Sequence, residues 1–496
     1  MIIRCLVIAA LFPGKAFSQA DPASTNYYRA DSLLNLAAKA LAKSPTRLAL
    51  SGTEYRQGHF PAPDQLDTCP LKAGIANPAG PDPFTETFMI RYRNHEYSSS
   101  VVFTEDSCRF TDYGDTASMR LPLGKACLEY FYLPGNIILL ARKFKNTLKL
   151  LHQDNRHVYL LAFNDAAGKN YYLYIDKTRF TLDKVEELTY DAMAGDTDNE
   201  LYFTGYRTEN GALFPLSILH KRNGYPYRNL KADSITWPSS AASAPVPAAA
   251  PPAFPVPPAP TAGPAIEMDT LAPHIFLLKM LKYNNKALLT THDGYLSVYE
   301  APVGLAACRE IIRFINEKFP DLPIRYCFVS HHHPDHAGGI AAFADIGATI
   351  VTTTGNKAYF ERLIRARHSR NPSFPEYNGS GGPFRFLMVD DSSSWRLTDT
   401  ACPVIAFETG SKTSHTNEYL LFYFPQQKLL FEGDLVLFPQ SGVLAQGKRA
   451  YAVYDLISAK GLQVDKIVPS WPLYRYKDEA TLEDLKMALK KNYPGL

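Results

Sequence analysis

The chain has 496 residues, and at roughly 100–200 residues per domain that length predicts two or three folded units. Hydrophobic residues make up 46% and charged residues 20%, which supplies buried cores and excludes a chain disordered throughout. Lys+Arg 52 against Asp+Glu 49 leaves a net +3, too even a balance for a nucleic-acid surface, so no nucleic-acid partner is expected.

The chain opens MIIRCLVIAALFPGKAFSQAD: an early cation at Arg4, an apolar run through Phe12, a break at Pro13-Gly14, then small residues at Ala16, Ser18 and Ala20. This is the order of a secretory signal peptide over residues 1–20 and predicts an exported protein, periplasmic or secreted. The run is too short to span a bilayer, and no later stretch approaches about 20 uninterrupted apolar residues, so no transmembrane segment is expected. Behind the leader lie Cys69, Cys108 and Cys127, then Cys308, Cys327 and Cys402. Without a CxxC pair, neither a thiol redox centre nor a cysteine zinc site is expected. An oxidising compartment permits a disulfide among the first three, with the pair left open.

Residues 21–237 read as a mainly antiparallel β-domain. A helix is expected over 32–42, where DSLLNLAAKALAKS starts at a capping Asp31. Then HVYLLAFN, NYYLYID, RFTLDKVEEL, ELYFTGYR and FPLSILHK, rich in aromatic and β-branched residues and separated by DAAGKN and TENGAL, predict a meander of strands. The pattern FTLDKVEEL followed by LYFTGYRTENGALFPLSILHKRNG resembles the curved sheets of lipoprotein-carrier (Lol-type) half-barrels. That resemblance implies a lipid-binding groove; the residues alone equally fit a β-domain that docks on its neighbour. Residues 238–264, PSSAASAPVPAAAPPAFPVPPAPTAGP, hold ten prolines and no charge, the composition of a semi-rigid spacer.

Residues 265–496 alternate differently. KALLTTHDGYLSVYEAP predicts two strands, ACREIIRFINEKF an amphipathic helix, IRYCFVS a buried strand, AGGIAAFADIG a small-residue helix and ATIVTTT a strand. EYLLFYFP and KLLFEGDLVLF add strands, and LEDLKMALKKNY closes as a helix, giving a layered α/β domain with its chemistry on loops at strand ends. Ser330-His331-His332-His333-Pro334-Asp335-His336 places four of the 13 histidines in six positions, between a strand and a helix. Such a loop can turn His331 and His333 to one point and Asp335 with His336 to an adjacent one. Imidazoles with carboxylates suit zinc or another first-row metal. Glu408 and His292 are candidates for the mouth, although each also reads as an ordinary surface or turn residue.

SHHHPDHAGG matches the H-x-H-x-D-H signature of the metallo-β-lactamase superfamily, and SHTNEYLLFYFPQQKLLFEGDL resembles that family's segment of a histidine, two strands and an aspartate. The resemblance covers about residues 266–496 and implies an αββα sandwich preceded by the β-domain. It gives His331, His333 and His415 to a first metal, Asp335 and His336 to a second, and Asp434 to a bridge. The family's closing histidine is missing: DKIVPSWPLYRY offers Ser470-Trp471-Pro472, so Trp471 stands where a ligand is expected. One tightly bound zinc and a weakened second site follow, unless Tyr474, Tyr476 or water substitutes.

Three neutral imidazoles leave a fourth position open, where bound water falls in pKa from about 15.7 toward about 7. Asp335 is the candidate catalytic residue, orienting that water. The expected function is an exported zinc-dependent hydrolase of an ester, lactone, thioester or related bond. Its substrate is a small molecule, lipophilic if the first domain's groove delivers it. The alternative is a non-catalytic lipid- or ligand-binding protein with a structural metal site.

Overall fold

The computed structural model describes residues 23–41, 47–57, 62–63, 65–76, 84–92, 95–103, 107–112, 115–122, 128–151, 157–166, 168–209, 212–236, 265–370, 383–390 and 394–496. The leader expected at 1–20 and the spacer expected at 238–264 lie outside the described residues. No helix among the described residues is long and apolar enough to cross a membrane.

The first helix runs Ala23–Ala40, starting well before the expected cap. Asp31 lies inside it, where its carboxylate accepts from Asn35 Nδ2 at 3.1 Å, one turn on. Leu33, Leu34, Ala37 and Leu41 form its buried stripe. Beneath it is a 13-stranded sheet. Strand Arg47–Gln57 lies inside that sheet, antiparallel to both Leu66–Ala76 and the last strand, Tyr225–Thr236. Hairpins run outward from the first pair through Phe84–Tyr92, His95–Phe103 and Ser107–Asp112 to Asp115–Pro122. On the other side follow Ser217–Arg222, Gly195–Thr204, Leu182–Asp191, Asn170–Asp176, Val158–Asn164 and Lys149–Leu151. The expected meander covered only strands after residue 156. The earlier ones escaped because segments such as RLALSGTEYRQ bury few apolar residues, here Leu48 and Leu50, beside the charged Glu54. Cys69 is a buried free thiol. The side chains of Cys108 and Cys127 lie outside the described residues.

After residue 264 the chain builds two face-to-face sheets, one of seven strands and one of five. Alternation sorts their side chains. Ile275 and Leu277, with Leu288, Tyr299, Phe328 and Val351, meet Leu420, Phe422, Phe424, Leu429 and Phe431 between the sheets. The intervening residues face outward. Leu278, Met280, Leu289 and Val298 pack under the helices Leu305–Lys318, Ile340–Asp345 and Thr354–Arg365. Leu421, Tyr423, Leu430 and Ile467 pack under Lys448–Lys460 and Leu482–Leu489. The result is an αββα sandwich. Strands Tyr295–Tyr299 and Ile324–Phe328 are parallel neighbours in one sheet, Leu429–Gly433 and Lys466–Pro469 in the other. Their carboxyl ends open onto the loops that carry the histidines and Asp434.

The inter-sheet core centres on aromatic rings: Phe422 lies 5.2 Å from Tyr299 and 5.5 Å from Phe328, edge to face in both cases. Phe422→Ala should therefore cost about 3–5 kcal/mol, read as a lowered Tm or denaturant midpoint.

Candidate metal centre

The histidine loop follows strand Ile324–Phe328 and turns into the short helix Pro334–Ala337, with Pro334 at a position that needs no amide donor. Glu300, fully buried at the end of the neighbouring strand, holds both ends of that loop. Its Oε2 accepts from the Ser330 amide at 3.2 Å, and its Oε1 lies 3.1 Å from His336 Nδ1. Ser330 Oγ lies 3.0 Å from His331 Nδ1. The ring nitrogens so engaged leave Nε2 of His331 and His336 facing the cluster.

His415 comes from the opposite sheet, in the loop after Val404–Glu408. Glu408 is a framework residue here. Its Oε1 accepts from the amides of Gly410 at 2.7 Å and Tyr419 at 3.3 Å, bracketing the turn that presents His415. Asp434 follows strand Leu429–Gly433, and Tyr419 fixes it: the phenol donates to Asp434 Oδ1 at 3.0 Å and accepts from the Asp434 amide at 2.8 Å. Tyr419 also stacks on the His331 ring at 4.6 Å. Gly433 has a φ of 74°, and an added Cβ would fall on the Tyr419 hydroxyl, so both backbone and space require glycine there.

His331, His333 and His415 offer nitrogens within 4.8 Å of one another, and His331, His336 and Asp434 form a second such group. His331 Nε2 and His415 Nε2 stand 3.2 Å apart, and His415 Nε2 is 3.1 Å from Asp434 Oδ1. Ligand atoms about 2.0–2.1 Å from a tetrahedral zinc lie roughly 3.4 Å from each other. His336 Nε2 is buried with no hydrogen-bond partner, 3.4 Å from Asp335 Oδ2 and 3.7 Å from Asp434 Oδ1. The donors thus fit a cation better than they fit one another. His332, although buried, belongs to neither group and turns its ring toward Tyr359 at 6.1 Å.

Burial pushes the imidazoles of His331, His333 and His415 down. Neighbouring imidazoles add to this at His331 and His333, while Asp434 opposes it at His415. Burial acts likewise on His336, but Asp335, Glu300 and Asp434 overcome it and hold the ring well above the ordinary histidine value. Burial would raise Asp434, but the attraction of His415 and His336 keeps it below the usual carboxylate range.

Residues 307–493 match the family model of the Metallo-beta-lactamase superfamily. That match falls within the C-terminal αββα domain. A hydroxyacylglutathione hydrolase from Bartonella quintana (strain Toulouse) is 28% identical over 162 residues, 32% of this chain and 51% of that protein. The chain thus spans about half the length of that curated relative. Similar solved structures include a metallo-β-lactamase from Pontibacter korlensis, 17% identical, TM-score 0.34, covering 45% of this chain and 97% of that one. Another is the metallo-β-lactamase FIM-1 from Pseudomonas aeruginosa in its mono-zinc form, 15% identical, TM-score 0.33, covering 45% and 93%.

Within this αββα domain all six predicted residues come together, with Asp335 the most open: its side chain is 39% exposed while that of His336 is 0%. In the segment expected to close the site, it is Ser470 whose side chain reaches in. It is fully buried, its Oγ 3.3 Å from His336 Nδ1, whereas Trp471 is half-buried. His292 sits at the far end of its strand pair from Glu300. There it is buried against Thr290 Oγ1 at 2.7 Å and stacked on Tyr295. Sequence reasoning missed Glu300, Tyr419 and Ser470. A charged residue ending the apolar strand YLSVYE was the one available signal for Glu300.

His331→Ala, His333→Ala or His415→Ala should each strip most of the bound metal, and His332→Ala should not; metal analysis of the purified variants checks this. His336 provides a pH test. Its raised value means that the metal-free protein carries it protonated at pH 7. Filling the position among Asp335, His336 and Asp434 must displace that proton. Calorimetric titration at pH 7 in buffers of different protonation enthalpy should show about one proton released. The release should fade as pH rises through the His336 value.

Proposed function

We propose that this chain is a metal-dependent hydrolase that uses zinc at the histidine cluster on an ester, lactone, thioester or related bond of a small molecule. The convergence of three buried imidazoles with a 3.2 Å Nε2 to Nε2 approach carries the reading. The family match adds to it. Bound there by His331, His333 and His415, zinc would supply a Lewis acid and lower the pKa of water.

The chain's own residues do the rest. Glu300 keeps His336 Nδ1 engaged and its Nε2 turned inward. Tyr419 holds Asp434 beside His415. Asp335, deprotonated and drawn below the usual carboxylate range by His336 despite partial desolvation, orients the attacking water and carries its proton. The segment Ser470-Trp471-Pro472, where the family resemblance leads one to expect a histidine, offers no imidazole, which supports one tightly held zinc and a weaker second position. The leader-like first residues support export, which N-terminal sequencing of the mature protein would test.

The zinc-loaded full chain should be assayed on activated aryl esters, γ- and δ-lactones and S-lactoylglutathione. The last is included because a relative is named for a hydroxyacylglutathione. Turnover is expected on at least one class. Asp335→Asn should lower kcat about 10²–10⁴-fold while the tightly held zinc stays. Tight zinc without turnover on any class would instead favour the ligand-binding alternative. Metal analysis at limiting supply should find closer to one zinc than two, and two equally tight ions would defeat that assignment.

A further inference from the structure

The N-terminal sheet reaches the metal-holding domain through the hairpin between strands Leu182–Asp191 and Gly195–Thr204. Asp191 Oδ1 stiffens its tip by accepting from the amides of Met193 at 2.9 Å and Ala194 at 2.7 Å. The tip then makes three kinds of contact. Met193 packs against the core beneath the helices, where its sulfur receives the Tyr359 hydroxyl at 3.7 Å. Asp196 grips residues 367–370: its amide donates to Arg367 O at 2.6 Å, and its carboxylate accepts from Ser369 Oγ at 2.5 Å and the Arg370 amide at 2.8 Å. Tyr190 adds its hydroxyl 3.2 Å from His368 Nδ1. Gly195, at φ 75°, comes so close that an added Cβ would fall on Arg367 O.

The third contact leads to the metal centre. Residues 301–304 are laid on the histidine loop by backbone bonds, Ala301 N to His336 O at 2.8 Å and Val303 N to Pro334 O at 2.9 Å. A Cβ on Gly338 would stand 2.6 Å from Val303 O, so this packing is backbone on backbone. The outer side of the same segment meets the hairpin: a Cβ on Gly304 would stand 2.9 Å from Ala192 O. Four residues are therefore pressed between the histidine loop and the N-terminal domain, with glycines giving the close approach on both sides.

We propose that the hairpin tip at residues 191–196 is a positioning element for the histidine loop, so that docking of the N-terminal sheet and metal binding are energetically coupled. This rests on the histidine cluster being a metal site. Coupling is reciprocal: a docked hairpin tightens metal binding, and metal strengthens docking by the same factor.

The test uses the full chain with Asp196→Ala, Met193→Asp and the conservative Asp196→Asn. Hydrogen exchange across residues 191–196 and 367–370 reports docking. Zinc affinity is measured by competition with a chromophoric chelator, and the ligand-field spectrum of the cobalt(II)-loaded protein reports ligand geometry. The first two variants should speed exchange in both segments, weaken zinc roughly fivefold or more and shift the cobalt bands, with circular dichroism unchanged. Asp196→Asn, which keeps one oxygen to accept from the Arg370 amide and can donate its Nδ2 to Ser369 Oγ, should recover most of the affinity. Faster exchange with unchanged zinc affinity and cobalt spectrum would overturn the proposal. So would unchanged exchange in both disruptive variants, since these contacts would then not hold the hairpin. An unmodified chain that binds no zinc would overturn the metal-site reading itself.

Discussion

A buried carboxylate, that of Glu300, bears the strain of the site. It has no exposure, a φ of 80°, and two jobs separated by six residues of sequence: the Ser330 amide at the start of the histidine loop and the His336 ring at its end. Without such a brace, four clustered imidazoles would be free to turn apart, since nothing in their own chemistry draws the rings together. Burying an acid so completely is costly unless donors surround it, and those donors here are the very groups it positions. The same economy appears across the cleft, where Tyr419 both donates to Asp434 and receives its amide.

How much of this could be read beforehand follows from distance along the chain. Four potential ligands fall within six residues, and the spacing of His331 and His333 against Asp335 and His336 is visible without a fold. A layered α/β domain was also legible in the strand-helix alternation, and the αββα order came from the family resemblance; in the structure, runs such as LLFYF and LLFEG bury every position because they lie between two layers. Glu300 and Ser470 were not legible: they meet His336 only because the parallel registers bring several strand ends to one edge. Trp471, the most conspicuous residue of its segment, drew attention that belonged to its smaller neighbour.

The N-terminal half shows the opposite balance. Its aromatic second half announced strands, whereas its first six strands carry half-polar sequences whose pairing is decided by their neighbours. The hairpin contact was illegible for a related reason. Ala192, Met193 and Gly304 are ordinary residues for a turn and a helix start, and only their backbone proximity gives them meaning.

Strand Arg47–Gln57 has one further implication. One of its two partners, Leu66–Ala76, follows immediately, and the other, Tyr225–Thr236, is the last strand of the sheet. The seam between the oldest and youngest strands thus runs through the middle of the sheet. On a ribosome the early half waits with a raw edge until residue 236 has emerged, and such long-range closure is slow. The order of synthesis then sets a period of vulnerability for this half, during which an unclosed edge invites pairing with other chains.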